Sequence, residues 1–398
     1  MNVVFVCRQN PWRLDGGALI RNYWMIRALA REHRVHLVTA GGGEAAPADF
    51  AVACASITQF PQAGGAAGRM RRALDALRPG ASYFTAGAVS RGMRRAVAAL
   101  AGMPDTAIMA DLSVRDALGD ARAPVIFNAH NAEGVLLDRR AAYEPQPQRA
   151  LVRFEALRTR RLEADFLRRA CVVAACSDED RNELARLEPR ARERIVVVPN
   201  GVDAARYAGV AAAIPSGRTI LVTGSFDWRP NVVGLEWFVE RVVPELRLRL
   251  GDAFDVRVAG RMSEALATSL GAREGIVAVA HPPDMRTELE RARVVLAPVL
   301  ASSGTRLRVL EAWAAGRPVI TTPAGALGLA YEEGRDLVTA EGAAELAEQT
   351  ARVLDDESLW ARLRAGGLDR AREYDWAGIG ERFLAEALPL VEARLRER

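Results

Sequence analysis

The stretch Ala297–Leu329, APVLASSGTRLRVLEAWAAGRPVITTPAGALGL, lays out a strand, a loop of small residues, a helix and a second strand. The apolar run Val294–Val299 predicts the first strand, and the helix predicted over Leu307–Trp313 begins just after the small residues. Gly316 and Pro318 end that helix. A Gly/Ser/Thr turn at a helix N-terminus leaves free backbone N–H groups at the positive end of the helix dipole. The stretch therefore predicts a parallel-sheet fold with a phosphate site at this turn.

The helix after this turn carries one acidic residue, Glu311, among apolar and basic residues. Gly304, Arg308 and Glu311 are spaced i, i+4, i+7, so they are expected to share a face. Backbone donors and a cation suit a diphosphate, and a carboxylate can accept hydrogen bonds from two neighbouring hydroxyls. The combination indicates a sugar nucleotide.

The rest of the chain repeats the alternation of strands and helices, which predicts two doubly wound α/β domains. With 398 residues, two domains are expected. We predict a first domain over residues 1–198, a second over 199–374, and a terminal helix pair over 375–398 that packs back toward the first. Ligands of such sheets bind beyond the carboxyl ends of the strands, which here predicts a cleft between the domains.

Composition and charge exclude several classes of protein. No apolar run approaches a membrane span, and the first residues lack the pattern of a signal peptide, so we expect a cytoplasmic protein. The net charge of +4 is too small to indicate nucleic acid binding. The sequence contains no lysine, so any cation that binds a phosphate must be arginine. Six arginines could either contact anionic lipid at the inner membrane face or form solvated helix faces. They are Arg69, Arg71, Arg72, Arg91, Arg94 and Arg95.

No metal site is predicted. The cysteines Cys171 and Cys176 lack zinc-site spacing and have no histidine nearby. The acidic run Asp178–Asp180 follows Ser177 and is typical of a capped helix start.

Five motifs resemble the retaining GT-B glycosyltransferases of family 4, which include bacterial exopolysaccharide and lipid-linked sugar transferases. They are DGGALIRNYWMIRALA at 15–30, HNAE at 130–133, VVPNGVD at 197–203, GSFDWRPNVVGLEWF at 224–238 and GTRLRVLEAWAAGRPVITT at 304–322. The resemblance implies the GT-B fold, two facing Rossmann-like domains with a deep cleft. It also implies a nucleotide-diphosphate sugar as donor, UDP- or GDP-sugar first, without a tightly bound cofactor. The acceptor would be a glycan, a lipid-linked molecule or a small molecule.

The resemblance assigns the donor to the second domain. Glu311 is expected to bind the ribose hydroxyls, and Arg229 and Arg308 to bind the phosphates. The remaining residues expected at the donor are Gly224, Asn231, Ser303, Gly304 and Thr305. The family usually has two glutamates with seven residues between them, but Ser303 occupies the first position here. Backbone N–H groups of Ser303 and Gly304 would then contact the donor sugar.

In the first domain the resemblance points to Gly16, Gly17 and His130. The glycines would let the backbone approach the donor phosphate or acceptor, or would form a plain tight turn capped by Asp15. His130 follows the predicted strand Val125–Asn128 and is expected to hydrogen-bond the donor sugar or the developing charge. Glu133 could orient His130, contact the acceptor or cap a helix.

The function expected from the resemblance is sugar transfer with retention, with His130, Arg229 and Glu311 in the catalytic centre. No residue is predicted as an enzyme nucleophile, because the departing phosphate would help to deprotonate the incoming hydroxyl. Cell-surface or exopolysaccharide assembly is the expected setting, with glycosylation of a small natural product as an alternative. A GT-B sugar-nucleotide epimerase and a non-catalytic sugar-nucleotide-binding protein also remain open.

Overall fold

The computed structural model describes residues 1–62, 65–76, 78, 80–300 and 305–397. The chain divides into two compact units. Unit 1 comprises Met1–Pro199 together with Ala377–Arg398, and unit 2 comprises Asn200–Trp376.

Unit 1 is built on a parallel sheet of seven strands within the described ranges, in the order β3-β2-β1-β4-β5-β6-β7. The strands are β1 Asn2–Cys7, β2 Arg34–Thr39, β3 Ser56–Gln59, β4 Thr106–Ala110, β5 Val125–Asn128, β6 Val172–Ala175 and β7 Ile195–Val197. The sheet is covered by helices, so its strands are almost continuously apolar and buried. β3 lies in a stretch rich in Ala, Gly and Pro, where the sequence gives no clear strand pattern.

The helices of unit 1 alternate with these strands, as the sequence predicts. They are α1 Gly17–Leu29, α2 Ala48–Ala51, α3 Gly65–Ala76, α4 Arg91–Ala101, α5 Glu133–Ala141, α6 Gln148–Arg169 and α7 Asp178–Leu187. Ser177 caps α7 by accepting a hydrogen bond from the Asp180 N–H, which confirms the predicted capped start.

Unit 2 has a second parallel sheet, with six strands among its described residues, in the order β10-β9-β8-β11-β12-β13. The strands are β8 Thr219–Ser225, β9 Asp255–Arg261, β10 Ile276–Ala280, β11 Val294–Ala297, β12 Val319–Thr321 and β13 Val338–Thr339. The helices are α8 Ala204–Ala212, α9 Arg229–Trp237, α10 Val243–Leu250, α11 Glu264–Gly271, α12 Met285–Arg291, α13 Leu307–Ala314, α14 Pro323–Ala326, α15 Gly342–Asp355 and α16 Glu357–Glu373. The two doubly wound α/β domains are therefore confirmed.

The C-terminal segment differs from its prediction. The terminal helix pair is wrong, because α17 runs without a break over Trp376–Arg396. This helix packs on α1, where Gly380 lies so close to Ala28 that a Cβ on the glycine would be 2.9 Å from the Ala28 Cβ. Arg31 and Glu381 add an ion pair at 3.2 Å. Of the described helices, none is long and apolar enough to cross a membrane.

Candidate active site

The carboxyl edge of the unit 2 sheet brings two glycines into close contact. Gly224 of β8 pairs with Gly260 of β9. A Cβ on Gly260 would be 1.9 Å from the Gly224 backbone oxygen, and its φ of +145° is one that residues with a side chain rarely adopt. Only glycine therefore fits at position 260. As a result, backbone atoms rather than side chains lie next to the loop between β8 and α9.

Three of the predicted donor residues meet at this edge. The Arg308 Nη2 atom donates to Asn231 Oδ1 at 2.8 Å, and Asn231 Nδ2 donates to the Ser225 carbonyl at 2.9 Å. A Cβ on Gly224 would lie 3.3 Å from Arg308 Nη1. Burial, and then the charge of Arg306, lower the pKa of Arg308 to about 10, still well above neutrality. The edge thus presents a fixed cation, as phosphate binding requires.

Glu311 is the fifth residue of α13 and is half-buried. The Tyr207 hydroxyl on α8 donates to Glu311 Oε1 at 3.2 Å. Burial raises the pKa of Glu311 above its ordinary value. The hydrogen bond from Tyr207 and the nearby arginines oppose this rise but do not cancel it. Sequence reasoning missed Tyr207, because nothing in the sequence places α8 beside α13. The tyrosine holds one carboxylate oxygen and leaves the other to a ligand.

The small-residue turn before α13 is described only in part. Ser303 and Gly304 lie outside the described residues. Thr305 is buried, and its carbonyl accepts a hydrogen bond from Asn200 Nδ2 at 3.5 Å. The side chains of Arg308 and Glu311 leave the same helix, so the predicted phosphate and ribose contacts stand on one element.

Arg229 is less enclosed than Arg308. The sequence of Asp227–Asn231 by itself predicts a loop, but in the structure α9 begins inside this segment and Arg229 is its first residue. Its Nη1 atom pairs with Glu236 at 3.3 Å, and 40% of its side chain is exposed. Binding of a phosphate by Arg229 would have to compete with this carboxylate.

In unit 1, His130 lies beside a carboxylate that the sequence analysis did not single out. The imidazole Nε2 is 3.7 Å from Asp111 Oδ2, and both side chains are largely buried. Asp111 follows β4 and His130 follows β5, so neighbouring strands bring them together. Burial raises the pKa of Asp111, but His130 and the hydrogen bonds from Ser113 outweigh it and lower that pKa. Among the described residues, neither ring nitrogen of His130 has a hydrogen-bond partner, so the imidazole lies beside the carboxylate with both nitrogens open to a ligand.

Glu133 stands among buried acids rather than at an open surface. Its carboxylate accepts from Asn131 Nδ2 at 2.9 Å. The N–H groups of Glu133 and Gly134 donate to Glu163 at 2.6 and 2.9 Å, so Glu163 caps α5. Burial raises the pKa of Glu163 to about 8 despite these two donors. Asp180 accepts from the Ala132 N–H at 3.1 Å and fixes the same turn.

The predicted glycines of unit 1 open the N-terminus of α1. Gly16 has extended backbone and precedes Gly17, the first residue of the helix, with no side-chain hydrogen bond capping it. No atom of the residues that the structure describes lies within 4 Å of a Cβ built on Gly16. Asp15 pairs with Arg13 at 3.1 Å. A ligand has room to approach the backbone at Gly16.

Among the described residues, no group of three or more His, Cys, Asp or Glu side chains is arranged to hold a metal ion. The polar groups at the edge of unit 2 are a guanidinium, an amide and a carboxylate, which match the phosphates and hydroxyls of a nucleotide sugar.

Two family models match the chain. The one described as Glycosyltransferase Family 4 matches residues 16–206, and the one described as Glycosyl transferases group 1 matches residues 217–356. A D-inositol 3-phosphate glycosyltransferase of Xylanimonas cellulosilytica is 29% identical over 224 residues, 51% of this chain and 53% of that protein. A phosphatidyl-myo-inositol mannosyltransferase of Mycobacterium leprae is 27% identical over 198 residues, 48% of this chain and 52% of that protein. The chain spans about half the length of the curated relatives it matches.

Solved structures match nearly the whole chain. Anabaena HepE in complex with UDP and glucose has a TM-score of 0.65 at 16% identity, covering 97% of this chain and 99% of that one. A sucrose-phosphate synthase from Thermosynechococcus elongatus has a TM-score of 0.69 at 16% identity, covering 99% and 100%. The GT-B fold expected from the sequence is confirmed.

Proposed function

Because the chain belongs to the group 1, family 4 glycosyltransferases, we propose that it transfers a sugar from a nucleotide-diphosphate sugar to an acceptor hydroxyl. The observation that carries this proposal is the pair of Arg308 and Glu311 on α13. A guanidinium held by Asn231 and a carboxylate held by Tyr207 stand one turn apart on the same helix. This arrangement supports a diphosphate next to a ribose diol.

In the proposed mechanism, Glu311 accepts hydrogen bonds from the two ribose hydroxyls and Arg308 neutralises charge on the diphosphate. The N-terminus of α13 adds the positive end of its dipole, with Thr305 beside it. The charge of the departing nucleoside diphosphate grows as the bond between sugar C1 and phosphate oxygen breaks. These groups therefore stabilise the transition state more than the ground state.

The stereochemical course proposed is retention, as the family resemblance implies. The acceptor oxygen bonds to C1 on the face that the diphosphate leaves, and its proton passes to the departing phosphate oxygen. His130, which lies 3.7 Å from Asp111, would hydrogen-bond the donor sugar as positive charge develops on it. Arg229 would bind the diphosphate as well, once its ion pair with Glu236 is broken and a phosphate oxygen takes the place of the carboxylate. The anomeric configuration of the product, read by NMR, tests retention.

Donor and acceptor classes follow from the relatives. HepE was solved in complex with UDP and with UDP-glucose, so we propose a UDP-sugar first and a GDP-sugar second. The curated relatives are named for inositol phosphate and phosphatidylinositol acceptors. For this chain we propose a glycan, lipid-linked or small polyol acceptor in cell-surface or exopolysaccharide assembly.

We also propose that unit 1 contacts an anionic membrane surface through α6 and α3. Leu151, Phe154 and Leu157 follow each other at intervals of three on α6 and are 65%, 59% and 56% exposed. Arg158 donates to the Ala76 carbonyl, so this face adjoins α3. The exposed residues of α3 include Arg69, Met70 and Leu74. Apolar side chains beside arginines are typical of interfacial binding.

Sedimentation with phosphatidylglycerol vesicles tests this contact. Phe154→Ser and Leu157→Ser should weaken vesicle binding, whereas Leu248→Ser, which replaces an exposed leucine of unit 2, should not. Equal binding by all four proteins would contradict the membrane proposal. Of the other arginines predicted at lipid, Arg91, Arg94 and Arg95 are exposed on α4, and Arg72 is half-buried with its guanidinium over the Tyr83 ring. The side chain of Arg71 lies outside the described part.

Thermal stabilisation by UDP-, GDP-, dTDP- and ADP-sugars tests the transferase proposal. One nucleotide class should stabilise the wild type, and Glu311→Ala should lose that stabilisation while Glu348→Ala, an exposed glutamate of α15, keeps it. No shift at millimolar ligand would remove the main support. Release of an epimerised donor without an acceptor would favour the epimerase, and binding without turnover of any acceptor would favour the binding protein.

A further inference from the structure

Two arginines of unit 1 converge on one short segment of chain. Arg8 follows β1, and its Nη1 atom donates to the Phe84 carbonyl at 2.7 Å. Arg72 on α3 donates through Nη2 to the preceding carbonyl, that of Tyr83, at 3.3 Å. Its guanidinium also stacks over the Tyr83 ring, 4.2 Å from the ring centre. The carbonyls of two consecutive residues, Tyr83 and Phe84, therefore hold the positive charges of Arg72 and Arg8 near each other.

No carboxylate of the described residues forms a salt bridge with either guanidinium. Asp111 is the acid whose charge reaches Arg8, but it is engaged by Ser113 and His130. Glu155, near Tyr83, accepts from the Tyr83 N–H and pairs with Arg158 at 3.6 Å.

Within the described part of the chain, the buried Nε atom of Arg72 has no hydrogen-bond partner. Burial, and then the charge of Arg72, lower the pKa of Arg8. Two like charges held near each other without a paired carboxylate repel each other, so an anion bound between the two guanidinium groups would offset that repulsion.

We propose that Arg8 and Arg72 form an anion subsite that binds a phosphate group of the acceptor. This inference rests on the proposed transferase function and names the acceptor class: a phosphorylated sugar or polyol. Two guanidinium groups can offer a phosphate several charge-assisted hydrogen bonds, which suits a dianion.

The position of the pair in the sheet supports this assignment. Arg8 follows β1, Asp111 follows β4 and His130 follows β5, and these strands are neighbours in that order. With strands about 4.8 Å apart, the anion subsite stands roughly 10 Å along the edge from His130. A cyclic sugar phosphate or polyol phosphate can bridge that separation and present a hydroxyl near the histidine.

The direct test is calorimetric titration with inorganic phosphate and with glucose 6-phosphate, using glucose as the uncharged control. The titrations use the Arg308→Gln background, which removes the competing phosphate contact in unit 2. Adding Arg8→Gln or Arg72→Gln should each weaken phosphate binding about tenfold. Arg122→Gln, an exposed arginine of unit 1, should leave it unchanged. Unchanged affinity in both Arg8→Gln and Arg72→Gln, with intact folding, overturns the subsite.

A second arm separates a free phosphorylated acceptor from a phospholipid headgroup. If the anion belongs to a lipid, Arg8→Gln and Arg72→Gln should also reduce sedimentation with phosphatidylglycerol vesicles several-fold relative to phosphatidylcholine vesicles. If it belongs to a water-soluble acceptor, only the glucose 6-phosphate titration should respond. Loss of phosphate binding in the titration supports the anion subsite, and the vesicle result then assigns the anion to a lipid or to a water-soluble acceptor. Phosphate binding retained in both variants contradicts the subsite, whatever the vesicle result.

The transferase proposal is judged separately by UDP binding. A wild type that binds UDP but shows no phosphate site dependent on Arg8 leaves the transferase intact and refutes the subsite. A phosphate site dependent on Arg8, in a protein that binds no nucleotide, refutes the acceptor role and the transferase together.

Discussion

Replacing Glu311 by Gln should weaken nucleoside diphosphate binding by a predictable amount. The carboxylate can accept hydrogen bonds from two ribose hydroxyls, and hydrogen bonds to charged groups contribute about 1.5–3 kcal/mol each. The amide keeps one acceptor oxygen but loses the charge and the second acceptor. We therefore expect a loss of about 2 kcal/mol, or roughly 30-fold in Kd. The assay is calorimetric titration with UDP, and with GDP if UDP does not bind.

Tyr207 allows the origin of that loss to be checked. Its hydroxyl donates to Glu311 Oε1 at 3.2 Å, a long hydrogen bond, so Tyr207→Phe should cost about 0.5–1 kcal/mol, or two- to fivefold in Kd. Because the tyrosine acts through the carboxylate, its effect should nearly vanish in the Glu311→Gln background. Glu348→Gln, on the exposed side of α15, should bind like the wild type.

The same pair predicts a pH dependence. Burial raises the pKa of Glu311 and the Tyr207 hydrogen bond opposes that rise. As the pH falls, affinity should therefore begin to drop above the ordinary glutamate value of about 4.3, and Tyr207→Phe should move that onset to higher pH. Glu311→Gln should lack the step. A Glu311→Gln protein that folds and binds UDP within threefold of the wild type would refute the reasoning.

Three further predictions concern other parts of the chain. His130→Gln should reduce kcat about 100-fold, and Asp111→Asn about tenfold, while UDP affinity measured by titration stays unchanged; a matching loss of affinity would contradict this division. With the pKa of Glu163 raised to about 8, the native state holds an extra proton between about pH 4.3 and 8, so stability should fall as pH rises through that window. Urea unfolding should show this slope diminished in Glu163→Gln. Gly260→Ala should lower the free energy of unfolding by about 3 kcal/mol, because its Cβ would be 1.9 Å from a backbone oxygen, whereas Gly271→Ala, with nothing within 4 Å, should not.

Local sequence signals predicted most of the fold because each sits within one element. The apolar run Val294–Val299 and the helix-ending residues Gly316 and Pro318 predicted the β11–α13–β12 unit nearly to the residue. Ser177 predicted the start of α7. The start of α9 was missed because Pro230 at its second position reads equally well as a turn, although proline is compatible with the first helical turn.

Partners across the chain escaped prediction for a different physical reason. Tyr207 and Glu311 are 104 residues apart, and Asp111 and His130 lie on separate strand ends. Periodicity describes a residue's own element and is silent on what packs against it. The signal that could have found Asp111 is positional, since it directly follows a buried strand, as His130 nearly does.

Arginine content alone says little about anion binding in this chain, because the chain has no lysine and every one of its basic Lys or Arg positions is arginine. Arg21 and Arg317 are almost wholly buried, yet their donors are directed to oxygens of the protein. Arg21 donates to the Val198 carbonyl and to Asn128 Oδ1, and Arg317 donates to the Leu289 carbonyl. Such arginines tie loops to strand ends and have few donors left for a ligand. The informative arginines are those at a sheet's carboxyl edge whose guanidinium group forms no salt bridge with a described carboxylate. Arg8 meets this criterion in unit 1, which is why the anion subsite is assigned there rather than to the more numerous surface arginines.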